Sequence, residues 1–168
     1  TRLAAVGMSW FHKCQSDRTM QERQWHLNLA FFNGNQHVQF RRTTQNGPFD
    51  LYTPPAPYYR VRIVINKVRQ IIRKEVARLT AQKPNAFVVP ASTEDADVFA
   101  AQAGEQIWDS LWREKKFNKV LREAVFWQAV CGNGFIKTYW DATKTDINDP
   151  DVKGDICMEN ITPFHIFI

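Results

Sequence analysis

Apolar and polar positions recur along this chain with two different periods, and each change of period marks an element. At about 100° per residue, Val68, Ile71, Ile72, Val76 and Leu79 of "KVRQIIRKEVARLTAQ" share one helical face. Asn66 is a natural N-cap for this helix and Pro84 its stop. "AFVVP" is a short strand. Ser92 or Thr93 then caps a long helix, with Asp95 completing a start like a capping box. Glu94, Asp95 and Asp97 occupy its first turn, where the helix dipole favours negative charge. Its apolar face is Ala100, Ala101, Gly104, Ile107, Trp108, Leu111 and Trp112, and Gly104 lets another backbone approach closely. "REKK" breaks the pattern near Lys115. The next helix covers 117–131, with Phe117, Val120, Leu121, Ala124, Trp127 and Cys131 along one side and Val125, Phe126 and Val130 on others. A helix apolar nearly all round needs cover on more than one side, and a neighbouring subunit is one source of it.

The flanking segments are shorter in period. "DRTMQERQWHLNLAFFNGNQ" is a helix closing at Gly34, and "HVQFRR" is a strand. "QNGPFDLYTPPAPYY" carries Asn-Gly and then three prolines among aromatics, the composition of an ordered loop or extended arm. In "RVRIVIN", Val61, Ile63 and Ile65 alternate with Arg60 and Arg62, which predicts a half-buried strand or an extended lead-in. "FIKTYWD" and "DICMENI" pair as an antiparallel hairpin with a long acidic tip, and the chain closes on "PFHIFI", an apolar, strand-like run. The predicted class is α+β: long helices packed with short antiparallel strands and a β-hairpin.

Between the last helix and the hairpin stands Gly132-Asn133-Gly134. Phosphate-cradling loops place glycines before a helix, whose N-terminal N–H groups hold the anion. Here the glycines follow a helix C-terminus, which carries partial negative charge. The tripeptide is therefore a structural turn, with Gly132 as left-handed C-cap and Gly134 as the bend into the strand.

Composition narrows the chemistry. The chain has 168 residues, 44% of them hydrophobic, which supports a folded core. Its net charge of +5 permits an anionic partner without requiring one. Cys14, Cys131 and Cys157 are odd in number and scattered, the pattern of reduced thiols in an intracellular protein. No run approaches the roughly 18 apolar residues of a membrane span. His12 and Cys14 are the only close pair of soft metal ligands, and they share a side only if extended. The hairpin tip "DINDPDVKG" places a proline where a calcium loop needs a ligand. Cys131 lies on an apolar face at a helix C-terminus, an environment that raises a thiol pKa. No catalytic, metal or cofactor constellation is expected. Positive charge on the helix after Asn66 is divided rather than gathered in one stripe, with Lys67, Lys74 and Arg78 along one edge of its apolar face and Arg69 and Arg73 along the other. Solvated edges with snorkelling stems also produce this pattern. These are the candidate contacts to DNA or another acidic partner, through phosphate alone. Trp108, Trp112, Phe126 and Trp127 are the candidate subunit contacts.

The segment "VINKVRQIIRKEVARLTAQKPNAFVVPASTEDADVFAAQAGEQIWDSLW", followed by "FNKVLREAVFWQAVCGNGFIKTYWD" and "GDICMENITPF", resembles the N-terminal half of portal proteins from tailed double-stranded DNA bacteriophages. The resemblance covers 49–164, and the first 48 residues match only through "QWHLNLAFFNGNQH". It implies an N-terminal helix and strand arm over 1–48 and a wing-like α/β region over 49–168, both within a longer polypeptide. It implies a non-enzymatic, dodecameric ring at one capsid vertex of the virion, assembled in the host cytoplasm. The ring's partners would be capsid protein, the packaging motor (terminase), the head-tail adaptor, and double-stranded DNA passing nonspecifically through the channel. The competing expectations are another head-completion protein of the virion and a nonspecific nucleic-acid-binding protein.

Overall fold

A computed structural model describes residues 2–42, 49–84, 87–145 and 153–167. Among them the chain is α+β, with two separate two-stranded antiparallel sheets. The first helix, α1 (Arg2–Phe32), begins well before the predicted start at Asp17. Leu3, Ala4, Ala5 and Met8 are good helix formers, but the apolar residues of its first half are spread round the helix, so no period announces it. That half is exposed, Leu3, Met8 and Trp10 included. Gly34, at φ +96°, closes the helix as predicted, and the Asn35 N–H donates to the Ala30 carbonyl at 2.9 Å.

Strands β1 (Gln39–Arg42) and β2 (Phe49–Tyr52) pair antiparallel, so part of the proline-rich segment expected as a loop is strand. Helix α2 (Lys67–Leu79) has the predicted N-cap: the Asn66 side chain accepts from the Arg69 N–H at 3.0 Å. The same amide donates to the Phe32 carbonyl at 2.8 Å and so ties the start of α2 to the end of α1. The helix stops before Pro84. Buried Thr80 is the C-cap: its N–H makes the last i→i−4 bond, to the Val76 carbonyl, which its hydroxyl also bonds, and the chain then tightens into an Ala81-to-Arg78 turn. Ile71 and Leu79, assigned to its apolar face, are exposed.

"AFVVP" is not a strand over its described residues, 87–90. Val88 instead packs its side chain on Gly104 of α3 (Asp95–Glu114), so the glycine there admits a valine rather than a backbone. The cap of α3 also differs from expectation. Glu94 is the N-cap and offers no side-chain bond, while the Ser92 hydroxyl accepts from the Glu94 N–H and contacts Asp97 at 2.6 Å. Lys116, at φ 52°, makes the sharp corner into α4 (Phe117–Cys131).

Helix α4 is the centre of the fold, touching α1, α2, α3 and the second hairpin. Trp25, Val130 and Cys131 are buried together, with Leu29, Ile72, Phe126, Trp127 and Phe164 packed round them. Cover on several sides of α4 thus comes from the same chain, while Val125, Phe126 and Trp127 stay half-buried. Strands β3 (Phe135–Thr145) and β4 (Lys153–Ile161) form the predicted hairpin, with a register shift between Asp141 and Thr145. Most of its acidic tip lies outside the described residues. Over its described residues, 163–167, the closing run is not a strand: Pro163–His165 is a 3-10 turn, with Pro163 fully buried.

Candidate functional site

The turn residues behave differently from one another. Gly132 takes φ +88° and donates its N–H to the Gln128 carbonyl at 2.9 Å, the left-handed cap that the sequence called for. Gly134 does not have positive φ. It is needed for closeness: a Cβ there would stand 2.3 Å from the Ala124 carbonyl oxygen. The Asn28 side chain donates to the Val130 carbonyl at 2.8 Å, which satisfies one of the last carbonyls of α4.

The four candidate contact aromatics are all half-buried within the chain. Trp108, Trp112 and Phe117 form a cluster across the α3–α4 corner, with ring centroids 5.2–5.9 Å apart. Lys83 pairs with Asp109 beside this cluster, and that hydrogen bond holds the Asp109 carboxyl below the usual range. Trp108 Nε1 is buried with no hydrogen-bond partner among the described residues. Phe126 meets Phe32 at 5.1 Å and Trp127 at 5.5 Å, while Trp127 reaches Phe164 at 6.1 Å. With its amide turned to satisfy both neighbours, Asn160 accepts from Trp127 Nε1 and donates to the Phe135 carbonyl, each at 3.1 Å.

All five candidate cations of α2 are exposed. Positions 67, 74 and 78 fall on one helical stripe, turned away from the buried Val76. Arg69 and Arg73 point the other way. The Arg69 guanidinium lies 5.5 Å from the centre of the Phe32 ring, and Arg73 stands on the wall of a cavity of about 660 Å³. That cavity opens between α2, α4 and β4, with Phe126, Trp127 and, from α4, Arg122 in its lining. Arg122 was not singled out from the sequence, because one arginine on a helix has no signature until a second helix is laid against it.

The most connected polar group is Arg18, also absent from the sequence expectations. It donates to the carbonyls of Pro163, Phe164 and Ile166 and pairs with Glu22. Its guanidinium lies 3.8 Å from the centre of the Phe167 ring. The contact spans nearly the whole chain, so no local pattern could announce it.

Among the described residues no group of three or more His, Cys, Asp or Glu side chains is placed to hold a metal ion. His12 and Cys14 lie two apart on α1, and that spacing does not share a helical face. Burial pushes the Cys131 thiol up to about 11. At pH 8 its thiolate is about a hundredfold scarcer than for an ordinary thiol, so iodoacetamide should leave Cys131 unmodified in the folded chain and label it after denaturation. Equal labelling rates in the two states, read by peptide mass, would contradict this environment. No helix of the described residues is long and apolar enough to cross a membrane. Comparison of the chain with protein-family models, with curated proteins and with solved structures finds no match.

Proposed function

We propose that this chain is the wing-like outer portion of a portal subunit, a structural ring component through which phage DNA enters and leaves the head. The observation that carries the proposal is surface. Large apolar side chains stand open to solvent on several elements, from Trp10 on α1 to Phe99 on α3 and Trp140 on β3. A ring subunit covers such surface with its neighbours. The resemblance rests on an order of helix, short "VVP" strand, two helices, glycine turn and hairpin; the structure has α2, α3, α4, the turn and the hairpin in that order, but no strand over 87–90.

In this role the chain performs no bond chemistry. It supplies rigid surfaces for capsid protein, packaging motor and adaptor, and DNA passes without base-specific contact. The stripe of Lys67, Lys74 and Arg78 suits phosphate or acidic side chains, since spaced positive charge is all that such contact needs. The test is the native mass and negative-stain image of the intact polypeptide that carries this sequence. A closed ring of about twelve copies with an axial channel is expected. A monomer at tens of micromolar would overturn the proposal, and a monomer that retards DNA would favour the nucleic-acid-binding alternative.

A further inference from the structure

Residues 58–65 form the most exposed apolar stretch that the fold leaves uncovered. Exposure reaches 84% at Val61, 79% at Ile63 and 71% at Ile65, and falls to 41% at Val64. This alternation is that of an extended chain with one side turned outward. The side is fixed from below: the Arg62 guanidinium donates to the carbonyls of Pro54 and Pro55, which holds the opposite side against the proline segment. Among residues 61–65 the one backbone hydrogen bond is that of the Ile65 carbonyl with the Lys67 N–H, at 2.9 Å. The segment therefore has the alternation of a half-buried strand, yet it has neither a ladder nor a core.

The same chain presents the complementary feature. Strand β3 pairs only with β4 among the described residues, so its outer edge is free. Ile136 and Trp140, four residues apart on one face of β3, are exposed, Trp140 by 61%. Free edges of this kind are templates for strand addition. Pairing of β-branched with aromatic residues across a ladder adds stability on that face. Within one chain the two features are anchored at different points of α1 and do not pair. The segment ends at Asn66, bonded to Phe32 at the end of α1. Strand β3 begins beside Cys14 and Arg18, which line one recess with Phe135. Fourteen residues of helix separate Phe32 from Arg18, about 21 Å.

We propose that residues 58–65 are an arm that adds as a strand to the outer edge of β3 in a second copy of this chain. The choice of a second copy rests on the ring proposal above and on complementarity: the same chain carries both an exposed alternating segment without a ladder and an open strand edge with an apolar face, so each copy offers what its neighbour lacks. Arm and edge are different surfaces, so the contact is heterologous and propagates from copy to copy, closing into a ring where the rotation allows. The backbone supplies affinity, and the alternating Val61, Ile63 and Ile65 set register and face.

Two preparations of the intact polypeptide test this, one carrying Ile63→Cys and the other Thr138→Cys, both with Cys14→Ser. The probe is a bis-maleimide of about 10 Å reach, which tolerates a register difference of two or three residues at about 3.3 Å each. Each preparation alone should give no cross-linked dimer, and the mixture, disassembled and reassembled together, should give one. A multimeric native mass without cross-linking in the mixture overturns the arm and leaves the ring proposal standing. Cross-linking of the Ile63→Cys preparation by itself shows arm-to-arm pairing and also overturns it. A monomeric mass throughout overturns both proposals.

Discussion

Replacing Arg18 with alanine should cost the fold about 3 kcal/mol and lower its unfolding midpoint by roughly 6–12 °C. The side chain is 10% exposed, and its removal takes the donors from three backbone carbonyls at once. The Pro163 carbonyl belongs to a fully buried residue, so water cannot readily replace the lost donor. The Phe167 ring loses the cation lying over it as well. Glu22 contributes less to the loss, because its side chain is 31% exposed and water can solvate the freed carboxylate. Arg18→Lys should fall between the two, since a single ammonium lacks the planar fork that reaches several carbonyls. Thermal denaturation followed by circular dichroism decides the matter. An alanine variant melting within about 1 °C of the parent would show that the 163–167 segment is not anchored through this arginine.

Gly134→Val should be at least as costly, about 3 kcal/mol or more, because the added atoms meet backbone rather than a side chain that can swing aside. The Ala124 carbonyl oxygen would lie 2.3 Å from the new Cβ and the carbonyl carbon 3.0 Å. Ala124 is itself buried in the middle of α4, so neither side of the contact can yield cheaply. Gly132→Ala is the control within the same turn. It stands at positive φ but has open space round its Cβ, and should lose only about 1–2 kcal/mol. Urea unfolding of both variants separates the two causes. Equal losses, or a larger loss at Gly132, would mean that left-handed backbone, not the close approach of hairpin to helix, is what this turn requires. Gly134 also sets where β3 leaves α4, so its replacement should displace the sheet edge proposed to receive the arm.

The local features of this chain were legible because each depends on neighbours in sequence. The span 117–131 of α4, the Asn66 cap, the glycine caps at 34 and 132, and the pairing of "FIKTYWD" with "DICMENI" all follow from period, capping chemistry or turn residues. The raised thiol of Cys131 was visible for the same reason, as an apolar position in a helical pattern. Other features needed the third dimension. The N-terminal half of α1 shows no amphipathic period, because no core lies against it. Helix α2 ends at Leu79, ahead of the proline, and Val88 reaches Gly104 without forming a strand. Arg18 acquires its role only when a distant segment is brought beside it. The segment 61–65 divides the two kinds of knowledge. Its alternation says that one side should be covered, and that much is written in the residues themselves. Which surface covers it is decided by what lies within reach. Among the described residues the segment pairs with no strand, and Asn66 at its end is tied to Phe32 of α1, so which surface covers it is a question of tertiary and quaternary placement that the alternation does not answer.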